Sequence, residues 1–338
     1  MTRRRTLAVL LISAALAAIP SHITGQPSEP PARPPSADQS SLRPGTRVLL
    51  DAHNAYPDDG QWADRIDRAL ATGLPLAIEQ DLAWHRDPAT GRARSIVTHG
   101  EPFTGQEPTL EDYFIQRVRP LIEQALRDNR RETWPVLVLN LDFKTDEPEH
   151  HHAIWDLLGR YQSWLCTAPR TASADAIAPI EAGPLLVLTG EADEQERSFN
   201  DAVPTGERLR LFGAVHRRPD GTLTPKSNYR RWSNNPWSVI EPEGQPKAGA
   251  WTPEDEQRLR DLVAAAHDAG LWIRFYTLNG HDPVRNSGWS ASYNFGSLEA
   301  VTERWRAAIR AGVDFVTVDQ YEEFAEVLRT TIARPTVR

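Results

Sequence analysis

The chain of 338 residues contains a single cysteine, Cys166. That excludes an intramolecular disulfide framework and any zinc or iron–sulfur site built from several thiolates. It lacks an excess of positive charge: 38 Lys and Arg stand against 46 Asp and Glu, a formal net charge of −8. A nucleic-acid partner, which usually needs a basic stripe, is therefore not expected. No glycine-rich fingerprint opens any helix, which weakens the case for an open dinucleotide-binding sheet. No apolar run reaches the roughly 20 residues of a comfortable membrane span. Charged residues are 25% and hydrophobic residues 40%, so wholesale disorder is excluded too. Tryptophan, by contrast, is plentiful, with 11 residues. Flat indole faces suit sugars and lipids, and they serve equally as plain core.

The N-terminal end reads as an export signal. Arg3, Arg4 and Arg5 precede an apolar run from Leu7 to Ile19, and Ala15-Leu16-Ala17 is a small-x-small cleavage candidate, with Gly25 a later one. Residues 1–26 are thus expected to be a signal peptide, and the protein to be secreted or periplasmic; an uncleaved anchor is the competing reading. Residues 27–45 are rich in Pro and Ser and read as a disordered tether. The folded domain is expected over 46–330.

Within it, apolar runs alternate with amphipathic stretches. Val48–Ala52, Leu76–Leu82, Val136–Phe143, Leu185–Thr189, Leu209–Val215, Trp272–Leu278 and Phe315–Val318 read as strands. Several are continuously apolar, as strands buried on both faces must be. An eighth is expected within Tyr229–Ile240. Trp62–Ala71, Leu110–Arg127, His151–Leu165, Pro253–Ala269 and Leu298–Ala311 read as helices. Repeated β-then-α units imply parallel strands with right-handed crossovers, and eight of them imply a single-domain α/β fold, the TIM (β/α)₈ barrel. A doubly wound open sheet is the runner-up.

In such a barrel the chemistry sits at the C-terminal strand ends. There the first strand ends in His53-Asn54, the second carries Glu79-Gln80-Asp81 and returns through His99, and the third ends in Asp142-Phe143-Lys144. Glu79 and Asp81, two apart on a strand, share a face and would repel unless a cation lies between them. A hard divalent ion, Ca²⁺ or Mg²⁺, suits these oxygens, with Asp142 as a third ligand and the Asn54 amide as a fourth. Loop capping or pairing with arginine is the alternative for the carboxylates. A free histidine has a pKa of ~6.5, near operating pH, so the pair His53 and His99 can divide acid and base roles. Lys144 can hold a phosphate oxygen or simply pair with Asp142.

Taken together, His53, Glu79-Gln80-Asp81 and His99 resemble the His…Glu-x-Asp…His order of the PLC-like phosphodiesterase superfamily, which includes phosphoinositide-specific phospholipases C and glycerophosphodiester phosphodiesterases. His53-Asn54 is similar to the His-Asn pair of eukaryotic-type phospholipases C; Leu141–Thr145 is similar to the Asp-x-Lys strand of the venom phospholipases D. Leu271–Leu278 and Ala311–Asp319 look like the last two strands of the glycerophosphodiesterase barrel. The resemblance covers 47–145 and 269–325, and between them is only topological. It implies a TIM barrel, one divalent metal at Glu79, Asp81 and Asp142 with Asn54 adding a ligand, and His53 and His99 as acid and base in phosphodiester cleavage. The Arg that glycerophosphodiesterases place after the first His is absent.

Other residues are candidate substrate contacts. Trp232 and Trp237 flank a loop that either lines the cleft or packs as a lid. Arg274 can hold phosphate if its register turns it inward. His281, in Asn279-Gly280-His281-Asp282, is either a substrate contact or a turn residue. His150-His151-His152 is read as a solvated helix start, since consecutive helical residues cannot converge on one ion. Cys166 is read as inert. The function expected is a secreted, metal-dependent phosphodiesterase acting on a small-molecule or lipid phosphodiester. It is expected to be a monomer, with room for transient contact with a membrane surface. A secreted glycoside hydrolase and a non-catalytic lipid- or sugar-binding barrel are the alternatives.

Overall fold

A computed structural model describes residues 40–333 except 58, 59, 61, 277 and 282–290. The expected signal at 1–26, most of the expected tether and Asp282 lie outside the described residues. Eleven strands occur in the order β1 (Leu49–Ala52), β2 (Leu76–Arg86), β3 (Ala93–Val97), β4 (Leu137–Phe143), β5 (Ala168–Pro169), β6 (Leu185–Thr189), β7 (Arg208–Leu209), β8 (Phe212–Ala214), β9 (Arg230–Pro236), β10 (Trp272–Tyr276) and β11 (Phe315–Val318). Eight of them, β1, β2, β4, β6, β8, β9, β10 and β11, pair in parallel in that order, and β11 returns to β1. The circle is closed, so the fold is the (β/α)₈ barrel. β3 folds back antiparallel on β2, while β5 and β7 form a separate two-stranded ribbon.

The helices are α1 (Arg65–Ala71), α2 (Gln116–Asp128), α3 (Pro148–Arg160), α4 (Asp193–Glu196), α5 (Pro253–Asp268), α6 (Leu298–Ala311) and α7 (Tyr321–Ile332). Local chemistry sets their ends. Thr252 and Asp255 form a reciprocal capping box at α5, with Pro253 in the first turn. The Ser297 hydroxyl accepts the Ala300 N–H at α6, and Gly312, at φ 81°, closes it in the left-handed conformation. None of the described helices is long and apolar enough to cross a membrane.

Period-two alternation sorts the barrel interior into tiers. The floor is apolar: Leu49, Ala77, Val138, Trp232, Trp272 and Phe315 pack as one cluster. Two residues along each strand, the tier becomes polar with Asp51, Glu79, Asn140, Asn234, Arg274 and Thr317. Two further along lie His53, Asp81, Asp142, Tyr276 and Asp319. On β1, β2, β4, β9, β10 and β11 the inward face therefore switches once from apolar plug to polar mouth, whereas Leu186, Leu188, Phe212 and Ala214 keep β6 and β8 apolar. The larger apolar cluster, including Ile78, Leu139, Val187, Phe275 and Val316, fills the layer between strands and helices.

Two expectations are corrected here. α7 was not anticipated; it runs to Ile332, beyond the expected end of the folded domain at 330. The solvated reading of the triple histidine fails for two of its members. His150 and His151 are fully buried. Ser95 Oγ lies 2.8 Å from His150 Nε2 and Thr145 Oγ1 3.0 Å from its Nδ1, which satisfies both ring nitrogens. Burial holds the His150 imidazole down at about 4.

Candidate active site

The top tier opens into a cavity of about 460 Å³ bordered by His53, Glu79, His99, Asp142, Lys144 and Asp319. Each reaches it from the C-terminal end of a strand or the loop beyond. The alignment of β1 with β11 places Ala52 abreast of Val318, and the His53 N–H donates to Val318 O at 3.1 Å. His53 and Asp319, one residue further on, therefore meet. His53 Nδ1 lies 3.2 Å from both Asp319 oxygens, and its Nε2 is 3.8 Å from Glu79 Oε2. Burial alone would lower the imidazole, but the Asp319 and Glu79 carboxylates outweigh it and raise its pKa above the usual 6.5.

Asp319 is itself heavily engaged. It accepts from Asn54 Nδ2 at 3.0 Å and from Asn279 Nδ2 at 2.6 Å, and pairs with Arg65 at 3.1 Å. Burial pushes its pKa up, and the charge of His53 and the hydrogen bonds pull it down further, to about 2. Sequence reading had no role for Asp319. The signal was available: 315, 317 and 319 share a face of the last strand, which must close on the first.

β2 and β4 run in register, with Glu79 abreast of Asn140 and Asp81 abreast of Asp142. This brings one carboxylate oxygen each of Glu79, Asp81 and Asp142 within 4.8 Å of the others. Burial, then the neighbouring Glu79 carboxylate, raises Asp81 well above the usual carboxylate range; burial also raises Glu79. Lys144 Nζ sits 2.7 Å from Asp142 Oδ2 and 3.6 Å from Asp81 Oδ2. The Lys144 N–H donates to Leu82 O at 2.8 Å, continuing the β2–β4 pairing past the strand end. The Thr98 N–H donates to Asp81 O at 3.0 Å, which anchors the chain next to His99. His99 is exposed at the rim, with its ring 5.9 Å from that of Tyr56.

The all-oxygen donor set fits a hard divalent ion.

Four of the sequence candidates fall in different surroundings from those expected. Asn54 lines the cavity, with its amide oxygen accepting from Tyr56 Oη at 3.1 Å and its amide nitrogen donating to Asp319 Oδ1 at 3.0 Å, so both ends of the amide are already engaged. Its φ of 54° is left-handed, which Asn tolerates better than most residues. Arg274 does point inward, but it donates to Asp51, to Asn234 Oδ1 at 3.0 Å and to Glu79 Oε2 at 2.9 Å. It lines the cavity, with its guanidinium engaged by these carboxylates. Trp237 is fully buried in the outer layer, stacked on Trp251 with ring centroids 6.0 Å apart, its indole N–H donating to Glu241 at 2.6 Å. His281 is buried, its carbonyl accepting from Asn294 Nδ2 at 2.9 Å, and it does not line the cavity. Trp232 does border the cavity as part of its floor. Asn234, in the segment between Trp232 and Trp237, also borders it, as do Tyr56, Trp62 and Tyr276, which no motif marks.

No family model matches the chain, and no curated protein matches its sequence. Solved structures similar to it include a glycerophosphoryl diester phosphodiesterase from Parabacteroides distasonis, at 13% identity over 88% of this chain and 92% of that one, with a TM-score of 0.47. A calcium-dependent phosphoinositol-specific phospholipase C from Pseudomonas is similar at 12% identity over 84% and 92%, also with a TM-score of 0.47. A Plasmodium falciparum HPPK-DHPS is similar at 9% identity over 87% of this chain and 49% of that one, with a TM-score of 0.44. Such distant likenesses span unrelated activities, so the case for function has to be made from the side chains at the barrel mouth.

Proposed function

We propose that the protein is a metal-dependent phosphoric diester hydrolase, exported from the cell, acting on a glycerophosphodiester, a phosphoinositide or a related phospholipid. The observation that carries this reading is the meeting of three carboxylates, a lysine and a carboxylate-held histidine at one cavity. Glu79, Asp81 and Asp142 would hold the ion. When bound, it supplies positive charge against the non-bridging phosphate oxygens as their charge grows.

The remaining work falls to the chain. Asp319 accepts the Nδ1 proton of His53 and so leaves the Nε2 lone pair facing the cavity. That nitrogen takes the proton of the attacking hydroxyl, and Asp319 and Glu79 stabilise the imidazolium that results. His99, across the rim, returns a proton to the leaving oxygen. Lys144, beside Asp142 and Asp81, offers a positive group for a phosphate oxygen. Trp232 at the floor of the cavity and Tyr276 in its top tier supply flat apolar contact for the rest of the substrate.

A glycoside hydrolase fits less well. A retaining pair of carboxylates stands about 5–5.5 Å apart and an inverting pair about 6.5–9.5 Å. The three oxygens here lie closer than either, within 4.8 Å. The test is hydrolysis of bis-(p-nitrophenyl) phosphate and of glycerophosphocholine, with and without EDTA. Metal-dependent release that is abolished in folded His53→Ala and His99→Ala supports the proposal. Release indifferent to EDTA, or wild-type turnover in both variants, refutes it.

A further inference from the structure

A second cavity, of about 410 Å³, lies at the opposite end of the barrel, beside the N-terminal ends of β9 and β10. Leu42, Ile177 and Trp272 form its apolar wall, and Arg43, Lys226 and Arg231 its polar side. Among the described residues that line it, none is acidic. That is unexpected in a chain with 46 acids and 38 bases.

Among the described residues no acid bonds to these cations; the Arg231 guanidinium also lies 5.7 Å from the centre of the Phe212 ring. Arg231 is 4% exposed, yet its bonds go only to neutral acceptors: Asn228 O at 2.9 Å, Ala178 O at 2.8 Å and Asn228 Oδ1 at 3.0 Å. Its Nη1 makes no hydrogen bond among the described residues. Lys226, half-buried, donates to Gly270 O at 2.8 Å, again a neutral carbonyl. Burial lowers the pKa of both, and the charge of Arg231 lowers Lys226 further. The exposed Arg43 side chain has neither hydrogen bond nor ion pair among the described residues.

Structural duties account for the bonds but not for the charges. Lys226 caps the carbonyl end of α5, and Arg231 ties the 178 loop to β9. A neutral amide can do either without the cost of a buried, unpaired cation. We propose that this cavity is an oxyanion site for a phosphate group, free or carried by an amphiphile whose apolar part lies along Leu42, Ile177 and Trp272. Three cations without an acid match a dianion, and guanidinium and ammonium groups are the usual phosphate donors. The volume far exceeds the ~30 Å³ of one water. The site is separate from the mouth of the barrel and does not depend on the hydrolase reading.

The chain has only three lysines, and each reports a different place: Lys144 the active site, Lys226 this cavity and Lys247 the exposed surface. The experiment acetylates the full-length protein with a limiting N-hydroxysuccinimide ester at pH 8 and constant ionic strength. The rate at each lysine is read by peptide mass spectrometry, with increasing inorganic phosphate or dihexanoyl phosphatidic acid. The expected result is saturable slowing at Lys226 with Lys247 unchanged. Protection by both ligands shows that free phosphate suffices; protection by the amphiphile alone shows that the apolar wall contributes. Either supports the site. Arg43→Ala, which removes no observed bond and leaves diesterase turnover as it was, should raise the ligand concentration needed about tenfold or more, the worth of a charge-assisted hydrogen bond. Unchanged rates at Lys226 with both ligands, equal slowing by matched chloride, or protection indifferent to Arg43→Ala would each overturn the inference.

Discussion

Asp319→Asn is the perturbation that separates the site's chemistry from its architecture. The replacement keeps the shape of a buried group that is 3% exposed. It removes the charge that His53, Asn54, Asn279 and Arg65 converge on. The stability cost can be worked from the carboxyl's position at about 2 against an ordinary 3.8. At 1.36 kcal/mol per pKa unit, that difference is about 2 kcal/mol. Because the folded pKa is depressed, this stabilisation is complete above about pH 4 and is lost as pH falls through about 2. Chemical denaturation should therefore show Asp319→Asn about 2 kcal/mol less stable at pH 7, a gap that closes in strong acid. The catalytic cost is of another kind. An amide can turn its NH₂ toward Nδ1, which moves the ring proton to Nε2 and removes the base. We expect kcat on bis-(p-nitrophenyl) phosphate to fall about 10²–10⁴-fold, with KM changed less than about threefold. Steady-state kinetics at pH 7 on protein shown to be folded by circular dichroism is the assay. Turnover within about threefold of wild type would refute the role of Asp319 in orienting His53, whatever happens to stability.

Asp81→Asn should abolish metal-dependent turnover yet raise the stability of metal-free protein by about 1–2 kcal/mol, because it removes a buried charge beside Glu79; a metal-free variant less stable than wild type in urea titration counts against the cation site. Trp237→Phe should cost about 1–3 kcal/mol through the lost bond to Glu241, which also pairs with Arg304, and leave KM within about twofold; a large KM rise would return Trp237 to the substrate cleft. His150, held at about 4 against 6.5, should make the protein progressively less stable as pH falls from about 6.5 to 4, by up to roughly 3 kcal/mol, with no contribution above pH 6.5. Urea midpoints across that range should fall more steeply for wild type than for His150→Gln, and parallel slopes would contradict the assignment.

Much of the barrel was legible because strands buried on both faces announce themselves. Leu185–Thr189 and Phe315–Val318 appear with the boundaries their apolar runs imply, and Leu298–Ala311 starts and stops at its caps. The strand hidden in Tyr229–Ile240 proved to be Arg230–Pro236, which reads as polar because its alternate residues, Ser233 and Asn235, lie in a bonded layer behind the site. α7 was missed although Tyr321, Phe324 and Ala325 carry helical spacing. Its polar residues on the other positions dilute the pattern over only twelve residues. The two buried histidines were misread for a different reason. Helical position alone says nothing about which face a neighbouring strand will cover, and β3 brings Ser95 over His150.

The site shows where sequence reasoning stops. Residues adjacent in the chain, or on strands known to be neighbours, were found: Glu79 with Asp81, and Asp142 beside them. What was missed depends on closure. Asp51 lies abreast of Thr317, whose hydroxyl donates to it at 2.9 Å, and Arg274 spans from Asp51 to Glu79. These residues come from strands 195 and 223 positions apart from Arg274 in the chain, joined only because β11 returns to β1. Once a barrel is assumed, though, period two and closure together dictate the tiers. Thr317 must sit with Asp51, and Asp319 with His53. The same rule turns Arg274 inward beside Asn234, where carboxylates engage its guanidinium. A closed sheet therefore carries more information about its site than the strand ends alone. The last strand should be read against the first with the same care as any consecutive pair.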